Sequence, residues 1–309
     1  MKIYTKIEEI ERFVEKTLAD EAKAVEEVYP FRCTDYYFFL AKSKDFSDAV
    51  FRQFFPEKSE LSSCGEEDPF GEDESTGIPH LVRRYKNRLL VVTTNLCFVY
   101  CRFCMRKRNW KASPFVFDRF DELENYLKAH PEISDVILSG GDPFALPVEL
   151  LEELLARIRS VESVRIVRIG TRAPVVAPDI FDGKRLSLLE KYAPLWINTH
   201  FNHPNEVTRE SRDAILSLLK TGVSINNQSV LLKGVNDSFE TLKELFFRLA
   251  SVGVRPYYLF SCDPVKGTQH FKVDEGRGVE LTKRLLSEFG PMVTPRFAVD
   301  TRYGKRLLV

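Results

Sequence analysis

From about residue 89 onward, short apolar runs alternate with longer stretches of helical periodicity, and this constrains the fold more than any other feature of the chain. The strand candidates are 89–94, 136–138, 164–169, 196–199, 224–232 and 256–260; helical stretches over 119–129, 149–159, 206–221, 239–252 and 276–288 separate them. Strands joined by crossovers of a dozen or more residues run parallel. Six such units predict an α/β architecture, a partial (βα)6 barrel, with a largely helical N-terminal extension. The expected partition is 1–84 for the extension and lead-in, 85–275 for the barrel, and 276–309 for a last helix and terminal segment.

In parallel barrels the site forms at the C-terminal ends of the strands. Polar groups recur at those ends: Ser139-Gly140-Gly141-Asp142-Pro143, Thr171-Arg172, His200-Phe201-Asn202 and Cys262-Asp263. Each alone reads as a turn or a helix cap; together they predict one convergent rim. The first strand leads into Cys97-Phe-Val-Tyr-Cys101-Arg-Phe-Cys104. Three thiolates at this spacing suit a [4Fe–4S] cluster with one iron lacking a protein ligand, free to take a small molecule. Structural zinc or inert thiols remain the alternatives. Zinc usually needs a second pair of ligands, whereas Cys33, Cys64 and Cys262 stand singly and no histidine lies near the run. A disulfide framework is disfavoured because 309 residues can bury a large core unaided.

Lysine plus arginine equals aspartate plus glutamate, 45 each, so no global positive field favours nucleic acid or an anionic membrane. The N-terminal residues, Met1 to Tyr4 followed by Glu8, Glu9 and Glu11, lack the apolar core of a signal peptide. No uncharged run approaches membrane-spanning length. A cytoplasmic setting is expected, where thiols stay reduced.

Beyond the cysteines, the chain carries D-P-F-G-E-D-E at 68–74, R-R-Y-K-N-R at 83–88, S-G-G-D-P at 139–143 and T-H-F-N-H-P-N-E at 199–206. N-Q-S-V-L-L-K-G-V-N-D at 227–237 and R-P-Y-Y-L-F-S-C-D at 255–263 follow. In this order, over roughly 68 to 305, the chain resembles the lysine 2,3-aminomutase group of radical S-adenosylmethionine enzymes, which implies a partial TIM-like radical-SAM barrel. The resemblance implies that Cys97, Cys101 and Cys104 hold the cluster and that its open iron takes S-adenosylmethionine. Gly140, Gly141 and Asp142 match the segment that binds this cofactor, with His200, Gln228 and Phe103 as further contacts.

It also implies pyridoxal 5′-phosphate. The family's anchoring lysine corresponds to Lys305 in Asp300-Thr-Arg-Tyr-Gly304-Lys305, where the family's run of glycines is shortened to one; Lys266 is a weaker substitute. Tyr85 matches the tyrosine beside the cofactor ring, and Arg84 and Arg88 suit its phosphate. Arg106 corresponds to the arginine that takes the substrate carboxylate, and Asp263 and Asp300 to the acids that hold the distal ammonium of lysine. The implied reaction is 5′-deoxyadenosyl-radical hydrogen abstraction with migration of the amine from C2 to C3 of L-lysine. Another amino acid, or a protein-bound lysine of a translation elongation factor, is the enzymatic alternative. A non-catalytic iron–sulfur or zinc-binding module is the alternative from a different class. A reducing electron donor such as flavodoxin or ferredoxin is implied, with homo-oligomerisation left open. Ser238 stands where relatives place a zinc-binding cysteine, so no structural zinc is expected.

Overall fold

The structure is a computed structural model that describes residues 1–72 and 75–309; the last two residues of the 68–74 motif lie outside the described residues. A two-stranded antiparallel pair, β1 (Ile3–Tyr4) with β2 (Cys33–Thr34), and the helices α1 (Lys16–Glu26), α2 (Asp35–Leu40) and α3 (Phe51–Phe54) form the extension. A single nine-stranded sheet follows: β3 (Leu81–Tyr85), β4 (Arg88–Val92), β5 (Asp135–Ser139), β6 (Ile166–Gly170), β7 (Trp196–Thr199), β8 (Ser224–Leu231), β9 (Arg255–Ser261), β10 (Arg296–Thr301) and β11 (Gly304–Leu307). The helices among them are α4 (Phe120–Ala129), α5 (Val148–Arg159), α6 (Ala173–Val176), α7 (Gly183–Lys191), α8 (Arg209–Lys220), α9 (Phe239–Ser251) and α10 (Glu275–Phe289).

Strand order follows the chain, and β4 to β10 are parallel, as the crossovers require. The sheet is wider than six strands. Antiparallel hairpins add β3 at one edge and β11 at the other, so the terminal segment expected after the last helix contains two strands, β10 and β11.

Period-two alternation explains both the core and the hollow. Outward positions are apolar and buried beneath the helices: Leu89 and Val91 on β4, Val136 and Leu138 on β5, Val167 and Ile169 on β6. The helices answer with matching stripes, such as Leu151, Leu154, Leu155 and Ile158 on α5 and Phe239, Leu242, Leu245, Phe246 and Leu249 on α9. Inward positions carry few aliphatics, Leu90, Ile137 and Val230, interleaved with Arg88, Ser139, Arg168, Gly170, Asn198 and Gln228. A closed barrel fills its bore with layers of branched aliphatics; these residues cannot, and the bore stays open as a cavity.

The two edge hairpins meet through side chains. Arg84 on β3 donates to Asp300 Oδ1 at 3.1 Å and to the Thr301 carbonyl, and the Lys305 backbone N–H donates to Tyr85 Oη at 2.8 Å. Gly304 makes this fit: its φ is +118°, and a Cβ there would reach the Tyr85 ring at 3.2 Å. Among the described residues no helix is long and apolar enough to cross a membrane.

Candidate active site

One cavity of about 360 Å³ occupies the bore and rim. Its wall includes every site residue expected from sequence: Cys97, Cys101, Cys104, Phe103, Arg106, Gly140, Gly141, Asp142, His200, Gln228, Tyr85, Arg84, Arg88, Asp263, Asp300 and Lys305. Lys266 is not part of that wall and pairs with Glu67 at 3.3 Å, half-exposed.

The extension holds the cysteine loop. Arg32 Nε donates to the Cys97 carbonyl at 2.6 Å, while the backbone N–H groups of Tyr100 and Arg102 donate to the carbonyls of Arg32 and Gln53. Between Cys101 and Cys104, the Arg102 guanidinium is fully buried on Glu60, with contacts of 2.7 to 3.0 Å. Lys107 Nζ reaches the same carboxylate at 2.5 Å; burial pulls this amine down to about 8, with Glu60 opposing. Arg172, after β6, donates from Nη1 to Cys101 Sγ at 2.8 Å and from Nη2 to Tyr37 Oη, Gln53 Oε1 and Glu206 Oε1.

Among the described residues no group of three Cys, His, Asp or Glu side chains converges on a point fit for a single metal ion. A four-iron cluster needs a wider triangle, since each thiolate binds a different iron, and three cysteines on one loop facing one cavity suit that need. Burial pushes the Cys97 thiol well up and Cys104 up to about 11. Bound metal stabilises the thiolates that such burial disfavours. Beside them, Thr199 Oγ1 and His200 Nε2 are buried without a hydrogen-bond partner among the described residues, a fit for a polar ligand. Burial, reinforced by Arg172, pulls His200 down to about 3, so its imidazole is neutral. The Phe103 and His200 rings lie 5.4 Å apart.

Gly141 is demanded by the loop itself: an added Cβ would meet the Leu96 carbonyl oxygen at 2.1 Å, so the glycine lets the loop after β5 dock against the lead-in to Cys97. Asp142 accepts from Thr171 Oγ1 at 2.8 and 2.9 Å, from the Arg172 N–H at 2.9 Å and from the Phe144 N–H at 3.0 Å. It ties neighbouring βα loops together, a positional job that the sequence reading did not separate from ligand contact.

At the opposite wall, Lys305 Nζ stands 3.7 Å from Asp300 Oδ2, over the rings of Phe260 and Tyr258. Burial holds this amine below the usual lysine range, aided by Arg88, Arg84 and Arg168 and opposed by Asp300. Asp263 is pushed up to about 7, first by burial and then by Asp300. Arg88 Nε and Arg168 Nε share Asp135, at 2.8 and 2.9 Å, and Arg84 Nε is buried without a hydrogen-bond partner among the described residues. An anionic group suits this cationic corner. Arg106 is clasped by Glu72, Nε to Oε2 at 2.9 Å and Nη2 to Oε1 at 2.6 Å.

Sequence reading placed Arg172 in the polar rim without a role of its own and assigned none to Glu60, Glu72, Arg102, Lys107 or Arg168. The available signal was charge at strand-inward or loop positions that an apolar core would not tolerate unpaired; their partners lie too far along the chain to be read from spacing.

The radical SAM superfamily model matches residues 91–246. An L-lysine 2,3-aminomutase of Clostridium subterminale is 38% identical over 304 residues, covering 96% of this chain and 73% of that protein. A glutamate 2,3-aminomutase of Clostridioides difficile is 35% identical over 276 residues, covering 87% and 64%. Streptococcus suis SuiB, solved with bound S-adenosylmethionine, shares the fold at a TM-score of 0.52 and 14% identity, over 69% of this chain and 50% of that one.

Proposed function

The chain belongs to the lysine 2,3-aminomutase family of radical S-adenosylmethionine enzymes, and from that premise we propose that it interconverts L-lysine and β-lysine. When bound, the [4Fe–4S] cluster and S-adenosylmethionine supply a 5′-deoxyadenosyl radical, and pyridoxal phosphate carries the migrating amine. Cys97, Cys101 and Cys104 would hold the cluster. Gly140, Gly141, Asp142, His200, Gln228 and Phe103 would receive S-adenosylmethionine. Lys305 would anchor pyridoxal phosphate, its amine readied by the burial that disfavours the ammonium form. Tyr85 would face the ring, and Arg84 and Arg88 the phosphate.

Arg106 would orient the amino acid by its carboxylate, and Asp263 with Asp300 would take the distal ammonium. The single observation that carries the choice of lysine is this acid pair: Asp263, raised to about 7 by burial and by Asp300, gains most from an added cation. Lys305 now supplies a cation to Asp300 Oδ2 while Arg84 holds Oδ1, and engaging the cofactor would release Oδ2 for substrate. In this reading residues 1–84 brace the cysteine loop, 85–275 form the barrel and 276–309 bring the anchoring lysine. The electron would come from a small reducing protein such as flavodoxin or ferredoxin, in the cytoplasm.

The test supplies reduced, reconstituted protein with S-adenosylmethionine, pyridoxal phosphate and single amino acids, and looks for β-amino isomers. β-Lysine is expected. Deoxyadenosine without any isomer would sink the aminomutase reading, and preferred turnover of glutamate would move the substrate assignment. Lys305→Ala is expected to lose the visible absorbance of bound pyridoxal phosphate; unchanged absorbance would reject Lys305 as anchor.

A further inference from the structure

The clasp of Glu72 on Arg106 is not absorbed by the function proposed above. Glu72 is 4% exposed, and both of its carboxylate oxygens are committed to one guanidinium, from Nε and Nη2. A guanidinium offers a carboxylate two forks, the side edge of Nε with one Nη and the end edge of the two Nη groups. Glu72 consumes the side edge. No acceptor among the described residues is bonded to Nη1, and Arg106 lines the cavity, so the end edge is what a bound carboxylate can use.

The surroundings add a second consequence. Asp263 and Asp300 line the same cavity as Glu72, and both Asp263 and Glu72 act electrostatically on Arg106. A substrate with a second carboxylate therefore meets acids on several sides. Arg108, 3.6 Å from Glu72 Oε2 and 3.4 Å from Asp68, braces the clasp from behind.

We propose that Glu72 is a positioning and specificity-determining residue: it turns Arg106 so that only the end edge meets the substrate's α-carboxylate, and its charge disfavours dicarboxylic amino acids. This rests on the reading that Arg106 binds that carboxylate. The bland alternative is a brace that merely neutralises a buried arginine, and such a brace has no reason to alter substrate preference.

The experiment compares wild type, Glu72→Gln and Glu72→Asp as reconstituted holoenzymes with lysine and with glutamate. Loss of a charged fork is expected to raise the lysine KM of Glu72→Gln about tenfold, with kcat within about twofold. The ratio of kcat/KM for lysine over glutamate should fall in Glu72→Gln and recover in Glu72→Asp. An unchanged lysine KM and ratio in folded Glu72→Gln would overturn the proposal. So would failure of both variants to fold, which would make Glu72 a structural brace. If the wild type isomerises a different amino acid, the lysine reading fails by itself; the KM comparison on that amino acid then decides the positioning role, and preference for glutamate would reject the selectivity.

Discussion

At the cysteine loop, Glu60, Arg102 and Lys107 are each at most 1% exposed, and the carboxylate is met by both cations at 2.5 to 3.0 Å. Arg102 also donates to the carbonyls of Pro30 and Tyr29, and Lys107 to those of Arg102 and Gly267. The hairpin end of the cavity is built from the same residue types with the opposite outcome. Asp263 and Asp300 repel one another there, Lys305 is held below its usual range, and Arg84 Nε has no hydrogen-bond partner among the described residues. Satisfied buried charge rigidifies a scaffold, whereas charge left frustrated in a cleft marks where a ligand completes the bonding.

Breaking the saturated end should cost most. Glu60→Ala leaves two buried cations unpaired and is expected to destabilise the fold by about 3–5 kcal/mol in denaturant unfolding. A loss under ~1 kcal/mol would erase the contrast, because it would mean the cluster is no more committed than a surface pair.

At the frustrated end the sign reverses. A raised carboxyl binds more protons in the folded than in the unfolded state, so stability falls as pH rises from the ordinary Asp range to about 7 and is level above it. Asp263 keeps some contact with the open cavity, which tempers the size. Asp263→Asn is therefore expected to stabilise the ligand-free protein by on the order of 2 kcal/mol at pH 8 and not at pH 4, while weakening lysine binding. Melting curves at the two pH values decide this; equal shifts at both would contradict it.

The smallest effect belongs to Arg306, paired at 2.7 Å with Glu275 on the outer surface and 55% exposed. Arg306→Ala should change stability by less than about 1 kcal/mol and vanish in high salt. It calibrates the other two.

Much of the fold was legible along the chain. The expected strand at 196–199 and helix at 239–252 differ from β7 and α9 by at most one residue, because alternation and helical stripes are local patterns. The helix α7 was overlooked: only nine residues long and rich in charge, it is nucleated by Asp182 accepting from the Arg185 N–H at 3.0 Å. β10 and β11 were overlooked because their order depends on pairing with β9 and with each other. The loop before Lys305, with its run of glycines shortened to one, is a hairpin with Gly304 packed on Tyr85 that delivers the lysine to the cavity wall.

By itself, then, the sequence determined the alternation of strands and helices from β4 to β9, apart from the short helices, the spacing of three cysteines on one loop and the polar rim at the strand ends, since each depends on residues a few positions apart. Tertiary structure alone decided which charges are paired and which are left over. Arg102 finds Glu60 across 42 residues, and Arg84 finds Asp300 across 216. The physical reason is that a charge pair is set by distance and burial, and those exist only after the sheet has curled to bring its first and last hairpins together.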